Sequence, residues 1–471
     1  MNPCVRNLPR KVMVTSQTMK NKKNNMEKEI NKVILHHDML LKEIQDQRKI
    51  VSSFDFSKSE KILKKRGCVL PQKNEILDQS EKSKAVIIRP WEEISDEADR
   101  YVSGECNIES IFTEDELAQN SEAVHMLNKE FKNLYNLDKV DISIGALAGL
   151  VGATVDLLMV GIPQKTSEGL KAGPLSNYIR DYFDRIFPEE EMNRLANSKI
   201  SKVPYDAQDN RNTTIHVAGL SAYYHRLLQL GHDPILGFVI GVFDIISGRM
   251  TTLDKEGKLV SQVMENYADR KETEIFKALA KQVVHFKSDV TTSMGLPVPF
   301  MSLFNLLQFG NIGEEEQTIA EIVQGMYYEG YDFIHFCSLS IPTMLIEVIV
   351  RVGYAFKRIS EGYSVKDSIP FSLNRETHPK LYTMLFLGHS VATMSNMGKV
   401  AVTKNPMSIN YPQWIAFAKY SYSQLKWVVM NKPDMRDAYV AGRIYEDMQK
   451  VFDDVDNTFE EFARDRIIIY G

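Results

Sequence analysis

The sequence predicts a mainly α protein, with a multi-helix, bundle-like body and an N-terminal amphipathic or coiled-coil helix. Three observations carry this expectation. Apolar residues recur at helical spacing from Thr113 to the end of the chain. The β-like signal is confined to one short run, Ala85-Val86-Ile87-Ile88. An apolar, glycine-rich segment, 144–162, lies within the helical part. With 471 residues and 44% hydrophobic content, the chain has room for two or three domains with sizeable cores.

Residues 1–67 read as a basic arm with one long helix, since sixteen Lys or Arg face seven Asp or Glu there. The helix is expected over about Asn25 to Phe54, where Ile30, Val33, His37, Leu40, Ile44 and Val51 fall near a/d spacing. It reads either as a short coiled coil or as a helix lying on the rest of the protein. Residues 68–112 read as an acidic linker containing Pro71, Pro90 and the 85–88 run. The adjoining basic and acidic stretches are first of all solvated surfaces. A phosphate-binding or headgroup-binding arm is the sharper alternative. The overall net charge of −5 carries no specific nucleic-acid signal.

The helical body is read as 113–471. Thr113-Glu114-Asp115-Glu116 fits a capping box, because the Thr hydroxyl can accept from the N3 amide while Glu116 reaches back. The segment Ile144–Ile162 then has the length to cross a hydrocarbon core of about 30 Å, with Asp156 as its single charge. Gly145, Gly149 and Gly152 make a small-residue face suited to close helix approach, in self-association or otherwise. A central Asp costs about 3 kcal/mol on insertion, so the segment reads equally as a membrane span and as a buried core helix. Further helices are expected over Leu175–Ile186, Ile235–Ser247, Val260–Phe286, Glu314–Met326, Ile341–Phe356, Leu381–Val402, Gln413–Val429 and Ala438–Arg464. Pro342 is expected in the first turn of its helix, with Glu347 and Arg351 paired at i, i+4.

The four cysteines, Cys4, Cys68, Cys106 and Cys337, form no Cys-x-x-Cys. Residues 1–25 are polar and basic, unlike a secretory signal, so the expected location is intracellular, cytoplasmic or at the inner membrane. The chain contains no Gly-x-x-x-x-Gly-Lys-Ser/Thr, Gly-x-Gly-x-x-Gly, His-Glu-x-x-His or Gly-x-Ser-x-Gly motif. The densest polar cluster holds His216, His225, Arg226, His232, Asp233 and Asp244. Gly231 and Pro234 should end any helix carrying His225, so a following loop with His232-Asp233 could gather two imidazoles and a carboxylate, the minimum for a transition-metal site.

Three strings, Gly149–Gly161, His225–Gly237 and the Asn405-Pro406 loop before Trp414, resemble an uncharacterised family of bacterial proteins associated with mobile elements of Gram-positive and gut bacteria. The resemblance covers roughly residues 139–429 and implies a genomic setting rather than a mechanism. Two function classes follow. One is a membrane-associated helical protein, a mobile-element accessory or phage-defence effector at the inner membrane, with Asp156, Glu347 and Arg351 as intramembrane or buried charges. The other is a soluble helical enzyme using a metal held by His225, His232 and Asp233, beside which stands the plainer reading of a protein-binding scaffold. The identity of any cofactor is not legible.

Overall fold

The computed structural model describes residues 10–53, 55, 57–67, 85–104, 108–167, 169–292, 294–464 and 467–470, with the backbone course alone for 10–25, 85 and 467–470. Helix accounts for 69% of the structure and strand for 5%, so the protein is mainly α. Cys4, Cys68, Cys106 and Pro71 lie outside the described residues. The chain forms two compact units, Met1–Phe131 with Asp434–Gly471, and Lys132–Pro433, so the boundary expected near 113 falls inside a helix instead.

In the first unit, helix α1 (Arg10–Ser53) starts earlier than the apolar spacing predicts and is followed by α2 (Ser57–Lys65). Strand β1 (Ala85–Ile88) forms where β-branched residues cluster and pairs in parallel with the C-terminal strand Ile467–Tyr470. The predicted linker contains a helix, α3 (Trp91–Tyr101), with Glu92 and Glu93 in its first turn and Arg100 in its last, both favourable to the helix dipole. α1 lies on α3 of its own unit. His36 is buried and stacks on Tyr101 with ring centroids 4.9 Å apart, Lys32 pairs with Asp99, and Ile30, Leu40, Ile44 and Val51 of the a/d stripe stay exposed. The Thr113 capping box opens α4 (Glu114–Tyr135): Thr113 Oγ1 accepts from Glu116 N at 3.3 Å, and Thr113 N donates to Glu116 Oε2 at 2.8 Å.

The second unit begins with α5 (Lys139–Val155), capped by Asp138 and prolonged by a π turn, Asp156–Val160. A small antiparallel hairpin, β2 (Gln164–Thr166) with β3 (Gly169–Lys171), leads to α6 (Pro174–Ile186) and α7 (Glu189–Ala196). An irregular stretch follows, holding the single turn α8 (His225–Leu228) and α9 (Ile240–Ser247). The hairpin β4 (Arg249–Leu253) with β5 (Leu259–Val263) and α10 (Ile275–Asp289) complete this part. Thereafter come α11 (Ile319–Tyr328), α12 (Phe333–Ser360), α13 (Val365–Ser368), α14 (Leu381–Thr403) and α15 (Tyr411–Lys426), and all but the first two residues of the last helix, α16 (Lys432–Ala463), belong to the first unit.

The helix predicted over Val260–Phe286 is therefore corrected to a strand, a short 3-10 stretch and α10. The first residues alternate, with Val260 and Gln262 buried while Leu259, Ser261 and Val263 are exposed, which is a strand's period of two. The turn before them is fixed by Asp254, whose Oδ1 accepts from Glu256 N at 3.0 Å and Lys258 N at 2.8 Å, and by Gly257 at φ +82°. Pro342 also differs from expectation: it sits inside α12, where its ring removes the i→i−4 bond.

Helices α5, α12, α14 and α15 form a bundle built on close backbone approach. A Cβ at Gly149 would stand 2.5 Å from the Gly388 carbonyl oxygen, one at Gly152 2.7 Å from the Ile346 side chain, and one at Gly145 3.1 Å from the Met384 carbonyl oxygen. The small-residue face expected to serve self-association thus meets α12 and α14 of its own chain. Ala148, Ile346, Val350, Leu381, Met384 and Leu385 make the adjoining apolar core.

In the other half of the unit, Asp244 is fully buried at the end of α9 and accepts from Thr251 N at 2.8 Å and Thr251 Oγ1 at 2.7 Å. Burial outweighs these bonds and raises its carboxyl to about 6. A raised acid favours folding below its unfolded pKa and loses that contribution as pH climbs through the folded value. A shift of this size corresponds to about 3 kcal/mol lost between roughly pH 4 and 6. Asp244→Asn is expected to flatten that segment of the stability–pH curve, as urea unfolding at several pH values would read. An unchanged slope in the variant would contradict the assignment.

Candidate metal centre

Four separate pieces of chain bring five metal-ligating side chains together. The loop after α7 supplies Asp206, α8 supplies His225, the 3-10 turn Leu230–His232 supplies His232, and α10 supplies His285 and Asp289 from one buried face. His232 is at the centre. Its Nε2 lies 3.1 Å from His285 Nε2, 3.6 Å from Asp289 Oδ2 and 3.8 Å from Asp206 Oδ1. His285 Nε2 is 3.4 Å from Asp289 Oδ2, and His225 Nε2 is 3.6 Å from Asp206 Oδ1. Donor atoms about 2.1 Å from a shared ion are separated by about 3.0 Å at octahedral and 3.4 Å at tetrahedral angles, so these spacings suit the edges of a coordination shell. The two triads, Asp206–His225–His232 and His232–His285–Asp289, share His232, and the single lone pair on its Nε2 lets one ion at a time take one triad or the other.

Local folding places each group. Gly231 is required beside His232, because a Cβ there would meet the Tyr205 ring at 2.6 Å. Buried Tyr205 presents its ring to His232 and His285 with centroid distances of 5.1 Å and 5.5 Å, both nearly perpendicular. Its hydroxyl donates to Gln282 Oε1 at 2.7 Å, and Gln282 Nε2 donates to the Gly231 carbonyl at 2.7 Å, which ties α10 to the His232 turn. Gln229 Nε2 holds the Asp206 loop by donating to the Ala207 carbonyl at 2.6 Å.

The electrostatics favour neutral, ligand-ready imidazoles. Burial lowers the His225 pKa, with Arg226 adding to the effect, and burial followed by repulsion from His285 and His225 holds His232 well below the usual range. His225 Nδ1 lies 2.9 Å from the Ala222 carbonyl, a contact that assigns its proton to Nδ1 and leaves the Nε2 lone pair facing the cluster. That Nε2 is buried and has no hydrogen-bond partner. The His232–His285 contact is a hydrogen bond when one Nε2 carries a proton, a proton that a metal ion would displace. Arg226 orients Asp289, donating from Nε to Oδ2 at 3.1 Å and from Nη2 to Oδ1 at 3.3 Å, and its Nη1 donates to Thr292 Oγ1 at 2.6 Å.

The cluster opens into a cavity of about 370 Å³ whose lining includes Asp206, Arg226, His285 and Asp289. Such an arrangement can hold a transition-metal ion and expose it to substrate and water on one side.

Of the residues singled out from sequence, His225 and His232 belong to the centre and Asp233 does not. Asp233 Oδ1 accepts from Ile235 N and Leu236 N at 2.9 Å, and its Oδ2 accepts from Phe300 N at 2.5 Å, so the carboxylate serves as a backbone clamp. His216 is exposed and Asp244 is engaged at Thr251. Sequence reasoning missed Asp206, His285 and Asp289. The His285-x-x-x-Asp289 spacing, which puts both groups on one helix face, was the available signal.

Asp156, Glu347 and Arg351 lie apart, in the helical bundle. Asp156 accepts from Asn396 Nδ2 and Asn410 Nδ2, each at 3.0 Å, and faces Lys399 Nζ at 3.4 Å. Glu347 pairs with Arg351 at 2.9 Å and accepts from the Tyr420 hydroxyl. No protein-family model, curated protein or solved structure matches the chain, so the chemistry of the centre rests on its own geometry.

Proposed function

We propose that the chain is a metal-dependent hydrolytic enzyme whose ion is held by His232 with two further ligands, Asp206 and His225 or His285 and Asp289. The supporting observation is the convergence of imidazole nitrogens and carboxylate oxygens from distant parts of the chain on one buried point, at the wall of a solvent-accessible cavity. A divalent ion there would polarise a substrate oxygen and lower the pKa of water. The chain's own groups do the rest: Arg226 fixes the Asp289 carboxylate, Tyr205 packs the imidazoles in place, and the cavity admits substrate from one side.

Elemental analysis of the purified full-length chain tests this reading. About one transition-metal ion per chain, removed by chelator and regained from Zn²⁺ or Mn²⁺, is the expected result. A chain that purifies without metal and takes up neither ion would overturn it.

A second reading, compatible with the first, concerns where the chain sits. Beside its apolar core the bundle buries a polar group of side chains, His389, Thr393, Asn396, Asn410 and Gln413, while Leu150, Leu158, Met344, Val348, Phe356 and Met394 are exposed. Two helices, Glu114–Val160 and Phe333–Ser360, are long and apolar enough to cross a membrane. The exposed apolar face supports a bundle seated in a lipid bilayer. Retention in the membrane pellet after an alkaline carbonate wash is the expected outcome. Full recovery in the supernatant would overturn insertion and leave the outer face in need of a protein partner.

A further inference from the structure

We infer that the substrate of the centre carries a phosphate group and that the reaction is hydrolysis of a phosphoester. The inference rests on the metal-centre reading and adds the substrate class. Its ground is the charge of the cavity wall. Lys202, Arg211, Arg226 and Arg270 line the cavity against three carboxylates, Asp206, Asp209 and Asp289. The wall is therefore cationic by one charge before any ion is bound, and by three with a divalent ion.

Two of these cations are already engaged: Arg226 with Asp289 and Arg211 with Asp209, the latter pair at 2.5 Å. Lys202 and Arg270 make no ion pair among the described residues. Arg270 has its guanidinium carbon 3.5 Å from the Tyr267 ring centroid, and its Nη1 donates to the Val203 carbonyl at 3.4 Å, which holds it at the cavity it lines. A metal ion beside two cations with no carboxylate partner suits a compact anion whose oxygens can each take a positive partner. A neutral ester or an amide has no charge to meet them.

In the reaction, a water oxygen attacks phosphorus and forms a new P–O bond as the ester P–O bond breaks. The leaving oxygen takes a proton, and the products are an alcohol and phosphate, or a phosphomonoester if the substrate is a diester. The attacking water loses a proton to solvent at the cavity mouth, so atoms and charge balance without a further reactant. Lys202 and Arg270 act as positioning residues on the phosphoryl oxygens.

The experiment uses the full-length chain loaded with Mn²⁺ or Zn²⁺. It measures binding of inorganic phosphate by calorimetry and turnover of p-nitrophenyl phosphate, bis(p-nitrophenyl) phosphate and, as the neutral control, p-nitrophenyl acetate. Lys202→Glu, at an exposed position, is the first variant, and Arg270→Gln is the second. Expected are saturable phosphate binding in the millimolar range or tighter and turnover of a phosphoester. In both variants the affinity for inorganic phosphate and kcat/KM should fall by about tenfold, the scale of one charge-assisted hydrogen bond, with metal content unchanged. Metal bound at full stoichiometry without phosphate binding, turnover of the acetate alone, or phosphate binding indifferent to both variants would each overturn the phosphate inference while leaving the metal centre standing. Failure to bind metal would remove the centre and this inference with it.

Discussion

His232→Ala is expected to strip the metal ion from the chain, whereas Asp233→Ala, at the next residue, is expected to leave it bound and lower only stability. The contrast follows from the two side chains' partners. His232 Nε2 faces His285, Asp289 and Asp206 within 3.8 Å and is common to both ligand triads, so its loss leaves neither intact. A fall in metal affinity of more than about a hundredfold is expected, beyond what losing a group that only supports a ligand usually costs. Asp233 instead accepts three backbone amides, and its removal leaves them unsatisfied in a buried turn, a cost of about 2–4 kcal/mol. Metal content and chemical denaturation of the two variants separate the roles. Loss of metal from Asp233→Ala in chain that is still folded would show that the clamp is part of the centre.

The second large effect is expected at the glycines of the bundle, and its sign should change along the chain. Gly149→Ala places a methyl group 2.5 Å from the Gly388 carbonyl oxygen and 2.7 Å from Val391 Cβ, contacts that only a shift of one helix can relieve. Destabilisation of about 1–3 kcal/mol is expected, at the upper end because one obstacle is backbone. Gly398→Ala, in the interior of α14, meets nothing within 4 Å and is expected to stabilise by up to about 1 kcal/mol through helix propensity alone. Gly152→Ala should fall between them, since its obstacle is the movable end of Ile346. Thermal unfolding of the three variants checks the order. Equal effects at Gly149 and Gly398 would mean that α5 and α14 do not approach as described.

Much of the local structure was legible in the sequence because its causes are local. The Thr113 box rests on a side chain meeting backbone three residues away, and the break after His225 on the backbone limits of Gly231 and Pro234 nearby. The close-packing glycines of α5 were legible too, but not what they pack against, because α12 and α14 lie far along the chain. The helix α3 was hidden by its polar composition, and β5 by an apolar count that fits either period over five residues.

The candidate ligand cluster was legible only in part for the same reason. His225 and His232 are near in sequence, whereas Asp206 and the His285–Asp289 pair are brought in by tertiary packing. Asp233 was the natural guess as the neighbour of His232. At φ −65° and ψ 129° its backbone is extended, and its carboxylate is taken up by the amides of Ile235, Leu236 and Phe300.

The most direct test of the central claim is an anomalous difference map from crystals of the Zn²⁺-loaded chain, collected on both sides of the zinc absorption edge. A single strong peak about 2.0–2.2 Å from His232 Nε2, with His285 Nε2 and an oxygen of Asp289 or Asp206 at similar distances, is the predicted result. A peak elsewhere, or an empty cluster with His232 and His285 hydrogen-bonded to each other, would contradict a metal centre at this site.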